Sequence, residues 1–215
     1  MKIFKKGFTI VEVLVALTIL GIVTTILVPQ LVSSINRKKS GAVLARAVAQ
    51  IETGCRSILE KVNENSENEV VNALSLVQEK DLGLTTEDTP VILSDNLDKI
   101  LSVFWDLKEI EHSGLNISTD DADETLVEKI KNGDFYKISN STAEISITNS
   151  ATAENITVEE NESTHIEIFI DVNGFKNSNT VGKDIFYFTL NNNGKLKAMD
   201  EDTKKVVKKG YKIEY

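Results

Sequence analysis

Residues 8–32 form an apolar run whose sole ionisable side chain is Glu12. As a helix, about 25 residues rising about 1.5 Å each reach roughly 37 Å, more than a bilayer core of about 30 Å. A carboxylate near the start of such a helix costs about 2.5 kcal/mol or more if it meets lipid charged, so Glu12 is expected to face a partner. Gly21 and Pro29 interrupt a run otherwise rich in Leu, Ile and Val, and they predict a bend.

An ordinary secretory signal carries its small-residue cleavage site after the apolar region. Here Ser33, Ser34, Asn36 and Arg37 follow the run with no Ala-x-Ala site, and the small residue, Gly7, comes before it behind a basic leader. Gly7-Phe8, then Glu12 five residues past Gly7, then Gly21 and Pro29, make residues 5–29 resemble the N-terminus of type IV pilins and type II secretion pseudopilins. The resemblance implies cleavage after Gly7 by a prepilin peptidase and methylation of the new N-terminal Phe8. It also implies assembly through the helix, with Glu12 and Pro29 as the assembly residues. A single pass through the cytoplasmic (inner) membrane would hold the globular domain outside the cytoplasm, before passage into a cell-surface pilus or periplasmic pseudopilus. Charge does not decide that orientation, because Lys2, Lys5 and Lys6 on one side are matched by Arg37, Lys38 and Lys39 on the other.

A chain of 215 residues suits one anchor and one compact domain. Loss of the three leader lysines takes the side-chain charge from −9 to −12, which disfavours bulk binding to nucleic acid or anionic lipid headgroups. Only one cysteine, Cys55, is present, so an intramolecular disulfide is ruled out. Many pilins of didermal bacteria close a C-terminal loop with a disulfide, and this chain departs from that pattern. Cys55 falls on an apolar stripe and is expected to be a buried thiol.

Beyond Pro29, Leu44, Val48, Ile51, Cys55, Ile58 and Val62 recur at steps of four and three. That spacing predicts a single helix from residue 8 to 62, weakened at Gly41 and Gly54. Shorter helices are predicted at 69–80, from Ser94 or Asp95 through Phe104, and at 122–131, the last closing at Asn132-Gly133 with a left-handed cap. From Phe135 the period becomes two: Ile145 and Ile147, and Ile166, Ile168 and Ile170, alternate with other residues. Residues 191–194, Asn-Asn-Asn-Gly, predict a hairpin between strands 185–190 and 195–199, and Val206-Val207 with 211–213 offers a last strand. The expected fold is α+β: a long N-terminal helix, transmembrane in its first half, packed on a C-terminal antiparallel sheet, pilin-like, with a helical insert. The expected divisions are a leader at 1–7, a transmembrane and assembly helix at 8–32, its amphipathic continuation at 33–62, the insert at 63–134 and a β-rich part at 135–215.

Catalysis finds little support. The two histidines, His112 and His165, lack a Ser or Cys partner motif, and the chain shows neither a phosphate-binding glycine loop nor a Cys/His metal pattern. Trp105 beside Phe104 reads as core. Asp171, Asn173, Asn177, Asn179 and Asp184 crowd one loop with oxygen ligands that suit a structural calcium, though Phe175 and Gly182 break the EF-hand pattern. A turn-rich connector built on Asn-Gly and Asx-turns explains the same residues. The C-terminal lysines, Lys204, Lys205, Lys208, Lys209 and Lys212, read as protective charge on a sheet edge rather than as a DNA footprint.

The expected function is a non-enzymatic structural subunit, of minor-pilin or pseudopilin type, in a type IV pilus or type II secretion-like filament. Its expected partners are the prepilin peptidase, other pilin or pseudopilin subunits, membrane lipid and assembly-platform proteins, without DNA. The alternatives are a membrane-anchored binding or adhesion domain that never polymerises, and a competence pseudopilin for DNA uptake.

Overall fold

The computed structural model describes residues 9–65, 73, 74, 77, 82, 104–112, 114–118, 124–150, 162–175 and 179–213. The chain forms two compact units, Met1–Lys39 and Ser40–Tyr215.

Helix α1 runs unbroken from Ile10 to Asn65, with Pro29 inside it. From Ile10 to Val32 it is apolar on every side except at Glu12, and its large side chains, from Ile10 to Ile35, are exposed. Such a helix needs an apolar medium or apolar neighbours. The three threonine hydroxyls of its apolar run are satisfied within the helix. Thr18 donates to Leu14 O (2.8 Å), Thr24 to Leu20 O (2.6 Å) and Thr25 to Ile22 O (2.7 Å). Polar side chains bonded this way enter a membrane without an unpaired donor.

In the second unit the stripe expected from the four-three spacing is the buried one: Leu44, Val48, Ile51, Cys55, Ile58 and Val62 are all at most 4% exposed. Gly41 and Gly54 do not break the helix; they let other segments reach it. A Cβ at Gly41 would lie 2.1 Å from Tyr211 O, and one at Gly54 would lie 1.9 Å from Cδ1 of the buried Trp105. The cost of glycine in a helix is thus offset by close packing.

The stripe packs on a six-stranded antiparallel sheet ordered β1-β3-β4-β5-β7-β8. Its strands are β1 (Leu107–Glu109), β3 (Asp134–Ile138), β4 (Glu144–Asn149), β5 (Ser163–Asp171), β7 (Ile185–Asn191) and β8 (Leu196–Ala198). Period-two alternation puts Ile145 and Ile147, Ile166, Ile168 and Ile170, and Phe186, Phe188 and Leu190 into one core with the helix. Each such side chain, fully buried, contributes about 1.5–3 kcal/mol. The 191–194 turn is the expected hairpin: Gly194 N–H donates to Asn191 O (2.9 Å), with Gly194 at φ +76°. Helices first and antiparallel strands last give the α+β order that the sequence predicts.

Four details differ from expectation. The segment expected to be a helical insert contributes β1 to the sheet and β2 (Ile117–Ser118) to a small parallel pair with β6 (Asn179–Thr180). Helix α2 (Glu124–Asn132) ends before a Gly133 that is not left-handed; its missing Cβ instead makes room for Ser146 Oγ, 2.2 Å from where that atom would stand. Val206 and Val207 lie in helix α3 (Glu201–Lys208), not in a strand. The cap decides this: Asp200 accepts Thr203 N–H (2.8 Å), Glu201 and Asp202 occupy the first turn, and only Thr203 and Val206 need burial, three residues apart. Lys204, Lys205 and Lys208 therefore belong to a helix, where Lys204 pairs with Glu201 and Lys205 with Asp202, rather than to a sheet edge. Finally, His165 sits at φ +61° where the β5–β7 register shifts, an irregularity in the strand rather than its plain opening. Most of the helices expected at 69–80 and 94–104 lie outside the described residues; Ala73, Leu74 and Val77 are buried.

Candidate functional site

Two places gather the residues singled out by sequence. At the start of α1, Thr9 and Glu12 form a reciprocal cap. The Thr9 N–H donates to Glu12 Oε2 (2.8 Å), the Thr9 hydroxyl donates to the same oxygen (2.8 Å), and the Glu12 N–H donates to Thr9 Oγ1 (3.2 Å). This is a Thr-x-x-Glu capping box, which satisfies helix N-terminal donors that a membrane would leave bare. Oε2 alone takes these bonds; Oε1 takes no part in them. The sequence reading weighed Glu12 for its charge and missed Thr9, although the spacing was visible. Gly7 and Phe8 lie outside the described residues; Pro29 lies within α1.

The second place is the loop joining β5 to β7, on the sheet face away from α1. That face has its own core of Ile130, Phe135, Phe169, Phe175, Ile185 and Tyr187. Asp171 is fully buried, and its Oδ1 accepts the N–H groups of Asn173 (2.9 Å) and Gly174 (3.0 Å). Asp184 Oδ1 accepts Thr180 N–H (2.5 Å), and its Oδ2 lies 3.4 Å from Asn173 Nδ2. The Asn179 amide donates to Phe175 O (3.0 Å). Asn177 lies outside the described residues. Burial raises both carboxyls: Asp171 is pushed up to about 7, and Asp184 also lies above its ordinary value.

Glu144 joins this loop although sequence reading assigned it no role. It stands directly across from Asp171 in the β4–β5 pairing, and its Oε2 accepts Phe175 N–H (2.8 Å). His112 Nε2 is 3.1 Å from the same oxygen, an ion-pair distance without hydrogen-bond alignment. The His112 ring meets Phe135 and Phe175 edge to face. A neighbouring buried cluster repeats the theme, with Glu167 Oε1 accepting from Lys129 (2.7 Å) and from the Tyr187 hydroxyl. Glu144 and Glu167 alternate with isoleucines and so look like a solvent face; the signal against that is the aromatic content of the segments that cover them.

Cys55 is buried, and burial raises its thiol pKa, the opposite of a reactive cysteine. Among the described residues, no group of three or more His, Cys, Asp or Glu side chains is placed to hold a metal ion. The N-terminal part of α1 is long and apolar enough to cross a membrane.

A family model described as the prokaryotic N-terminal methylation motif matches residues 4–28. Comparisons with curated proteins and with solved structures give no match.

Proposed function

We infer from the prokaryotic N-terminal methylation motif, the hallmark of the prepilin-type signal, that this pilin-like α+β chain is a processed, membrane-anchored filament subunit. The motif implies processing by a prepilin peptidase and assembly with other pilin subunits. The finer reading is a minor pilin or pseudopilin of a type IV pilus or type II secretion-like system, cut after Gly7, methylated on Phe8 and without enzymatic activity. The observation that carries it is the motif itself, set on a helix apolar on all sides that continues into the packed domain.

The mechanism is one of transfer between apolar surroundings. Lipid covers the first half of α1 before assembly, and the corresponding helices of other subunits cover it afterwards. Apolar packing alone gives little axial register, because Leu, Ile and Val surfaces slide past one another cheaply. Glu12 supplies the register. Cleavage creates a cationic amine at Phe8, and a neighbour's amine meets the Glu12 carboxylate, each charge being tolerable in an apolar setting when paired. The capping box leaves Glu12 Oε1 for that partner.

Intact-mass measurement of protein extracted from membranes tests the reading. The expected mass lacks residues 1–7 and carries one added methyl group. Retention of the leader on the mature protein would instead mark a permanent anchor.

A further inference from the structure

The β5–β7 loop is where the oxygen-rich sequence suggests a structural calcium, and its donor set can be compared with what calcium needs. Calcium takes six to eight oxygens at about 2.3–2.6 Å, with lone pairs converging on one point. Here the converging groups are N–H donors. Asn173 and Gly174 N–H fill both lone pairs of Asp171 Oδ1, Phe175 N–H takes Glu144 Oε2, and Thr180 N–H takes Asp184 Oδ1. Backbone N–H groups present the positive end of their dipoles, which repels a cation as it attracts a carboxylate. Among the described residues, the buried side-chain oxygens left without partners are Asp171 Oδ2, Asn179 Oδ1 and, beside Lys129, Glu167 Oε2, fewer than the six a calcium shell needs.

We infer that the loop's segments 171–175 and 179–184 are latched to the sheet by carboxylate–amide bonds, with Glu144 of β4 as the anchor of the first, and that they hold their shape without a metal ion. Glu144 is the one carboxylate of the set that comes from outside the loop, and it ties the 173–175 turn to β4, as the β2–β6 pairing ties the far end of the loop to β2. The backbone around it is adapted to that contact. Gly174 has φ +86°, and a Cβ there would sit 3.1 Å from Glu144 Cδ, so glycine serves both the turn and the approach of the carboxylate. The bond to Phe175 N–H sets that residue, 2% exposed, into the aromatic group with Phe135 and His112. Glu144 is therefore a positioning residue: it fixes the loop, and the loop delivers Phe175 to the second core.

The test uses the full-length chain in detergent, by thermal unfolding and amide hydrogen exchange. Wild-type melting curves in chelator and in millimolar calcium should coincide. Glu144→Leu should lower the melting temperature and speed exchange at the Gly174 and Phe175 amides by roughly tenfold or more, while Glu144→Gln, which keeps an acceptor oxygen, should restore much of that protection. If Glu144→Leu does not fold, Gly174→Ala provides the same local readout by displacing the carboxylate. A calcium-dependent rise in melting temperature that Asp171→Asn abolishes would overturn the inference. So would Phe175 amide protection that is the same in Glu144→Gln, Gly174→Ala and wild type.

Discussion

In the first half of α1, Leu17 and Leu20 are 60% and 61% exposed; in the second half, Leu44 and Ile58 are 0% and 1% exposed. One continuous helix thus carries two kinds of apolar surface. Over residues 10–32 the first has no polar face, and its only charge there, Glu12, is tied back to Thr9. The second has a stripe one side wide, matched to a sheet within the same unit. The difference separates assembly from folding: side chains of the first half should govern insertion and association, and those of the second should govern the stability of the domain.

Glu12→Ala gives the largest expected effect confined to one half. Removing one member of a buried charge pair leaves the other unpaired, a penalty of about 3–5 kcal/mol where burial is complete. The variant should insert, lose its leader and melt like wild type, yet be depleted from sheared surface filaments. Wild-type incorporation at equal expression would break the assignment of assembly to the first half.

Ile51→Ala should do the reverse. Ile51 is 1% exposed within the main core, and Ile→Ala truncation at such a site costs about 2–5 kcal/mol. The matched control is Ile19→Ala at 57% exposure, which should leave the domain's melting temperature unchanged. Equal destabilisation by the two substitutions would erase the distinction between the halves.

These contrasts were largely legible in the sequence, because periodicity reports burial directly. A run with no polar side, a four-three stripe and an alternation of isoleucines each have one geometric meaning. The second face of the sheet was not legible. Glu144 and Glu167 occupy alternate positions, and a carboxylate there reads as solvent-facing unless the covering segment is known; the cover comes from α2, His112 and Phe175, all distant in sequence. Helix α3 was hidden for a related reason. Val206-Val207 has strand propensity, and the Asp200 cap with its acidic first turn outweighs it. Gly41 and Gly54 looked like weak points because their partners, Tyr211 and Trp105, cannot be inferred from local spacing.

A smaller effect, expected in the domain alone, follows from pH. Burial is the main cause that pushes Asp171 up to about 7 from 3.8; Asp184 and Glu144 push the same way, and N–H bonds from Asn173 and Gly174 oppose them. A folded-state value above the unfolded one means the protonated form is favoured by folding. Its contribution is fully present below about pH 4 and is lost as pH rises through about 7. The domain should therefore melt several degrees lower at pH 8.5 than at pH 5.5, by the usual few degrees per kcal/mol for a chain of this size. Asp171→Asn should flatten that dependence. Parallel pH profiles for wild type and Asp171→Asn would place the titrating group elsewhere.

Thr9→Val is expected to have the smallest effect and gives the sharpest test of the first half. Valine keeps the shape and the backbone N–H that donates to Glu12 Oε2, but it removes the hydroxyl that donates to that oxygen and accepts the Glu12 N–H. N-cap losses of this kind cost about 0.5–2 kcal/mol, less than a broken charge pair. The Glu12 carboxylate would remain and would still meet a neighbour's amine, with its orientation less firmly held. Filament incorporation should therefore fall by a few-fold, short of the Glu12→Ala defect, while domain melting stays at the wild-type value. Thr9→Ser, which restores the hydroxyl, should recover incorporation. If Thr9→Val assembles as wild type does, the capping box contributes nothing to presenting Glu12. If it fails as completely as Glu12→Ala, the Thr9 hydroxyl is itself part of the contact between subunits.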